Sequence, residues 1–136
     1  MIEVVIGTAV ITTGILIIIG SFMTYVKYSL SNKNNVEASY LAEEGIEVMH
    51  YLRDKDWANI KFLPMDTAFY EVWNGSDWAT TTVPQTIDGI FVRTINISDV
   101  AGNDDNNKKK VTAKVDYLQG GVTSTVSMST YLANIK

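Results

Sequence analysis

The sequence predicts an α+β chain: a long N-terminal α-helix forms a spine, and its C-terminal half packs on a small antiparallel β-sheet. Three observations predict it. Residues 4–26 carry no charge at all. From Ala38 to Leu52, apolar residues recur at spacings of three and four, the period of one helix face. From Ile90 onward, a run rich in β-formers is followed by residues that alternate between apolar and polar, the period of a half-buried strand. Three segments follow: residues 1–28 as the hydrophobic half of the helix, 29–53 as its amphipathic half, and 54–136 as a connecting region and sheet.

Composition sets the outer limits. With 136 residues the chain holds one domain plus one extended element. A net charge of −4 argues against direct nucleic-acid binding. The absence of cysteine rules out disulfides and Cys-type zinc sites. The visible N-terminus has neither the basic region nor the small-residue cleavage site of a secretory signal peptide.

The first segment is long enough to cross a bilayer. Val4 to Val26 makes 23 residues, roughly 35 Å of helix against a hydrocarbon core of about 30 Å. Phe22, Tyr25 and Tyr28 cluster at its far end, where aromatic rings favour the membrane interface. Gly7, Gly14 and Gly20 are unusual in a permanent anchor, since each interior glycine costs roughly 1 kcal/mol relative to alanine. Two readings stay open: a glycine-rich anchor, or a helix that packs against copies of itself and unwinds locally between Gly14 and Gly20. Glu3 heads the span. A carboxylate there either sits at the interface or, drawn deeper, needs a cationic partner. The α-amino group of a neighbouring chain is a suitable one.

The helix is expected to run on to about Arg53, with a weak spot at residues 31–35. Leu41, Gly45, Val48, Met49 and Leu52, together with Ala38 and Ala42, form the face that packs on the sheet. Glu37, Glu43, Glu44 and Glu47 lie largely off that face. A helix of that extent would be on the order of 80 Å long, too long for a small domain to bury. One half must therefore lie in lipid or among partner helices.

These stretches resemble the type IV pilins and pseudopilins. The resemblance rests on Ile2-Glu3-Val4-Val5-Ile6, the uncharged span through Val26, and Leu41-Ala42-Glu43-Glu44-Gly45-Ile46-Glu47 with Leu52-Arg53-Asp54 and Trp57. It is specific over residues 1–57 and architectural beyond them. It implies that Glu3 neutralises the free terminus of an adjoining subunit, the terminus being matched here by Met1. It also implies insertion in the cytoplasmic (inner) membrane, trimming by a prepilin peptidase, and incorporation by a pilus assembly machinery into a helical extracellular filament of many copies. Adhesion, motility, DNA uptake and secretion are all compatible with such a subunit, as a major pilin or as a minor pilin or pseudopilin. Two departures stand out. The family usually carries a Phe-Thr pair or similar ahead of the residue matched by Met1, so the chain reads as two residues short. Many pilins also have a proline near the end of the span, where this chain has Gly20. The competing class is a membrane-anchored binding protein that never polymerises.

The remainder predicts a three-stranded antiparallel meander preceded by a hairpin. Residues 69–73 and 78–83 flank the turn Asn74-Gly75-Ser76-Asp77. Gly89 precedes a strand over 90–97, residues 111–118 alternate, and Gln119-Gly120-Gly121 turns the chain into a last strand with Val122, Val126 and Met128 on one face. No nucleophile–base arrangement, phosphate loop or paired acids stands at a workable spacing, so no enzyme is expected. No cofactor is expected either; calcium at Asp99, Asp104 and Asp105, with Asn103, is the weaker alternative to a solvated loop. His50 and Glu47 read as an ordinary helix-surface pair, and Lys108-Lys109-Lys110 as the solvated start of a strand. Asn74 and Asn96 match the N-glycosylation pattern. Trp57, Trp73 and Trp78 read as core or interface anchors rather than ligand platforms.

Overall fold

The computed structural model describes residues 1–100 and 107–135. The chain divides into two compact units, Met1–Asn34 and Asn35–Lys136. Helix α1 is assigned over Ile2–Lys55.

In the first unit every residue after Met1 is helical, Gly14 to Gly20 included. Gly7, Gly14 and Gly20 each face open space. Thr and Ser hydroxyls bond back to the preceding turn. Thr12 Oγ1 donates to the Thr8 carbonyl at 2.7 Å, Thr13 Oγ1 to Ala9 at 2.9 Å, Ser21 Oγ to Ile17 at 2.9 Å and Thr24 Oγ1 to Gly20 at 3.0 Å. The expected weak spot at residues 31–35 is helical throughout. Asn and Ser cost a helix only a few tenths of a kcal/mol each, too little to interrupt good neighbours.

In the second unit, α1 ends at Lys55, with Arg53 and Lys55 in its last turn, where cations suit the helix dipole. A short helix α2 follows at Ala58–Lys61. The Asp56 carboxylate accepts the Ala58 N–H at 2.9 Å. Six strands then form one antiparallel sheet: β1 Ala68–Trp73, β2 Trp78–Thr81, β3 Thr86–Ile87, β4 Phe91–Asp99, β5 Lys108–Gln119 and β6 Val122–Ala133. Their order is β2-β1-β4-β5-β6, with β3 also paired to β4.

The meander β4-β5-β6 and the hairpin β1-β2 are both present. They are not separate, because β1 pairs β4 through Ala68↔Asn96 and Phe69↔Ile95. The short β3 fills the same side of β4 further along, through Thr86↔Val92 and Ile87↔Phe91. The β1–β4 pairing is not local in sequence and leaves no turn signal, whereas β3 and β4 form a tight hairpin, with Asp88 and Gly89 at φ of +50° and +70° in its turn. The β5–β6 turn is tight: Gln119 pairs Val122, and Gly120 and Gly121 have φ of +58° and +84°, as a two-residue hairpin with both central residues left-handed requires.

The core lies between one face of the sheet and residues 38–52 of α1. Phe69, Phe91, Ile95, Ile97, Val111, Ala113, Val115 and Tyr117 meet Ala38, Ala42, Ile46, Val48, Met49 and Leu52. Phe91 and Tyr117, paired across β4 and β5, have ring centroids 5.5 Å apart. The sheet extends past this cover at its β6 edge. Val126 is half-buried, while Met128 and Val122 on the same face are exposed.

Candidate assembly helix and sheet-packing face

The N-terminal unit is a helix long and apolar enough to cross a membrane. Its large apolar side chains, from Ile2 through Leu30, are exposed. Glu3 stands in its first turn and is exposed, as is Met1. A carboxylate suits the helix dipole there. Among the described residues, no ion pair engages it. Around Gly14 the surface is hollowed: Ala9, Val10, Thr13, Gly14 and Ile17 line a shallow concavity on one helix face. Small residues at such a place let a second helix approach closely.

In the second unit, Gly45, Val48, Met49 and Leu52 are buried, and Leu41 is half-buried against the core. Ile46, outside the predicted stripe, is buried as well. Gly45 sits where the helix approaches the sheet closely. A Cβ added there would meet Arg93 Cδ at 2.9 Å, Ile95 Cδ1 at 3.1 Å and Glu71 Oε2 at 3.2 Å.

That contact exposes a feature the sequence reading passed over. Arg93 and Glu71 are both buried. Arg93 Nε lies 2.9 Å from Glu71 Oε2, and Arg93 Nη1 lies 3.4 Å from Glu44 Oε2. Arg93 Nη1 also donates to the Leu41 carbonyl at 3.0 Å. Neither Glu71 oxygen accepts a well-directed hydrogen bond. Burial therefore outweighs the Arg93 charge and pushes the Glu71 carboxyl up to about 8, with Glu44 adding to the rise. A signal was available: Glu71 alternates with Phe69, and Arg93 with Phe91 and Ile95, so period two puts both charges on the core face.

A pH dependence follows. Below the ordinary value of 4.5 the carboxyl is protonated in both folded and unfolded chains. Between 4.5 and about 8 the unfolded chain has released a proton that the folded one retains, so stability falls as pH rises through that window. Unfolding of the full chain in maltoside micelles, followed by tryptophan fluorescence, is expected to show this fall. Glu71→Gln, which cannot ionise, is expected to flatten it.

Lys109 corrects a second reading. It is buried rather than solvated, and its Nζ donates to Asp99 Oδ1 at 2.6 Å and lies 3.6 Å from Met65 Sδ. It falls in the alternating series 109, 111, 113, 115 and 117, all buried. Asp99 thus carries an ammonium partner. Asn103, Asp104 and Asp105 lie outside the described residues. Among the described residues, no three His, Cys, Asp or Glu side chains gather as a metal site. His50 is half-buried and Glu47 exposed.

Asn74 is exposed, and its Oδ1 accepts the N–H groups of Ser76 at 3.1 Å and Asp77 at 2.9 Å, which closes the hairpin turn. Asn96 sits on the outer face of β4 between β1 and β5. With its amide oriented to donate, it reaches the Ile95 and Thr67 carbonyls at 3.2 Å each. Trp57 and Trp78 pack partly against the core. Trp73 does not, and stays 54% exposed. No protein family, curated protein or solved structure matches the chain.

Proposed function

We propose that the chain is a structural subunit of a type IV pilus-like filament, held in the cytoplasmic membrane before assembly. The observation that carries this reading is the N-terminal unit: a helix uncharged over residues 4–26, with its apolar residues exposed on every side, headed by Glu3, which no ion pair engages among the described residues. Lipid satisfies such a surface in the monomer, and packed copies of the same helix satisfy it in a fibre. The hollow at Gly14 offers a place for a neighbouring helix. Glu3 would dock through the terminal ammonium of another copy, and its desolvation would be offset only when that partner is present. The α+β unit would form the outer part of the filament.

The decisive experiment is Glu3→Ala. Filament yield is expected to fall below detection by electron microscopy while the membrane-bound monomer stays at its normal level. Normal filaments from this variant would overturn the docking role. Failure to find the chain in any filament, with intact membrane insertion, would favour the non-polymerising anchored protein.

A further inference from the structure

A cleft of about 410 Å³ opens on the second unit between the last turns of α1 and the β1–β2 hairpin. Its lining is Glu44, Glu47, Val48, Tyr51, Trp73 and Trp78. Three of the six are aromatic and two are carboxylates. We propose that this cleft binds a small organic cation bearing a methylated ammonium group, held between the faces of Trp73, Trp78 and Tyr51 with Glu47 and Glu44 supplying counter-charge.

Three features of the cleft support the assignment. Trp73 and Trp78 are the last pair of the hairpin, with ring centroids 5.6 Å apart and planes at 66°. Two indoles set edge to face make a corner, not a flat stack. A cation in a corner meets the negative face of one ring without losing the other wall. The third wall is held by hydrogen bonding. Tyr51 Oη donates to Asp77 Oδ1 at 2.9 Å, and the same oxygen accepts the Trp78 N–H at 2.9 Å. Lys55 pairs with the other Asp77 oxygen. Lys55 first, then Tyr51, keeps the Asp77 carboxyl below its usual range. Asp77 thereby positions Tyr51 and the hairpin tip together.

The polar part of the lining decides the kind of cation. Side-chain acceptors in the cleft are few, and Glu44 already lies 3.4 Å from Arg93 Nη1. A primary ammonium carries three strong donors and holds its water tightly. A methylated ammonium has no such demand and gains most from aromatic walls. The exposure of Trp73, unexplained by core packing, then has a purpose.

The test is isothermal titration of the full-length chain in maltoside micelles, which bring no quaternary ammonium of their own. Choline is the probe. Its neutral isostere 3,3-dimethyl-1-butanol tests charge, and n-butylammonium tests methylation. Choline is expected to bind, the alcohol not to bind, and butylammonium to bind more weakly. Trp73→Ala is expected to weaken choline roughly tenfold, and the exposed Glu47→Gln to weaken it a few-fold without touching the aromatic walls. No heat with choline, equal binding of the alcohol, tighter binding of butylammonium, or unchanged binding in both variants would each overturn the assignment. The outcome is independent of filament formation.

Discussion

Gly45→Leu is expected to destabilise the C-terminal unit by more than about 3 kcal/mol. Overpacking a filled core costs about 1–3 kcal/mol by itself. Here the atoms in the way cannot simply swing aside. Arg93 is pinned by Glu71, Glu44 and the Leu41 carbonyl, and Ile95 is fully buried. A leucine side chain must therefore push the buried Arg93 guanidinium off Glu71, Glu44 and the Leu41 carbonyl as well as force helix and sheet apart, and a buried charge that loses its partners costs about 3–5 kcal/mol. Gly45→Ala is a graded control. It gains about 1 kcal/mol of helix propensity and adds only one methyl at the 2.9 Å contact, so a small net loss is expected. Urea unfolding in micelles, read by tryptophan fluorescence, measures both. A leucine variant as stable as the parent would mean that helix and sheet approach less closely at this point.

Arg93→Met is expected to show a loss that depends on pH. A guanidinium is charged at every working pH, and Arg93 holds the Glu71 carboxyl lower than burial alone would. Without it, Glu71 keeps its proton to still higher pH. Near about pH 5, Glu71 is neutral with or without Arg93, so the variant loses mainly the Leu41 and Glu44 contacts. At about pH 9 the parent carries a charge opposite Arg93, whereas the variant must bury a charge alone or retain a proton against the solvent. Between about pH 8 and 9 the loss is then expected to grow by about 1.4 kcal/mol, one pH unit of retained proton. Pairing the change with Glu71→Leu should restore most of it, because replacing both ions by apolar groups is often neutral or better. An equal loss at both pH values would show that Glu71 ionisation is not what couples the two residues.

How much of this was legible in the sequence depends on how local each signal is. The uncharged run, the three-and-four spacing from Ala38 to Leu52, the Asn74-Gly75 turn and the alternation along β5 each lie within one short window. Each appears in the structure as a helix, a buried face, a hairpin or a strand. The β1–β4 pairing that unites hairpin and meander was not legible, because it joins residues far apart with no turn between them. Arg93 and Glu71 were passed over, and Lys109 was read as solvated, for a different reason. Charge reads as surface, and only their places in alternating series marked them as inward-facing. Trp73 and Trp78 read as core or interface anchors by residue type alone. The turn at 74–77 sets them opposite one another, but their place beside Tyr51 and Glu47 exists only once the hairpin has docked near the helix.

The hydroxyls of the N-terminal helix have a consequence of their own. Thr8, Thr12, Thr13, Ser21 and Thr24 each spend their proton on a carbonyl one turn back in the same helix. None needs water, and none needs an acceptor on a neighbour. The passage from lipid to packed helices that the proposed function requires would therefore break none of these five bonds. For these five side chains the free energy of such a transfer would rest on packing alone, so they add little expense in either direction.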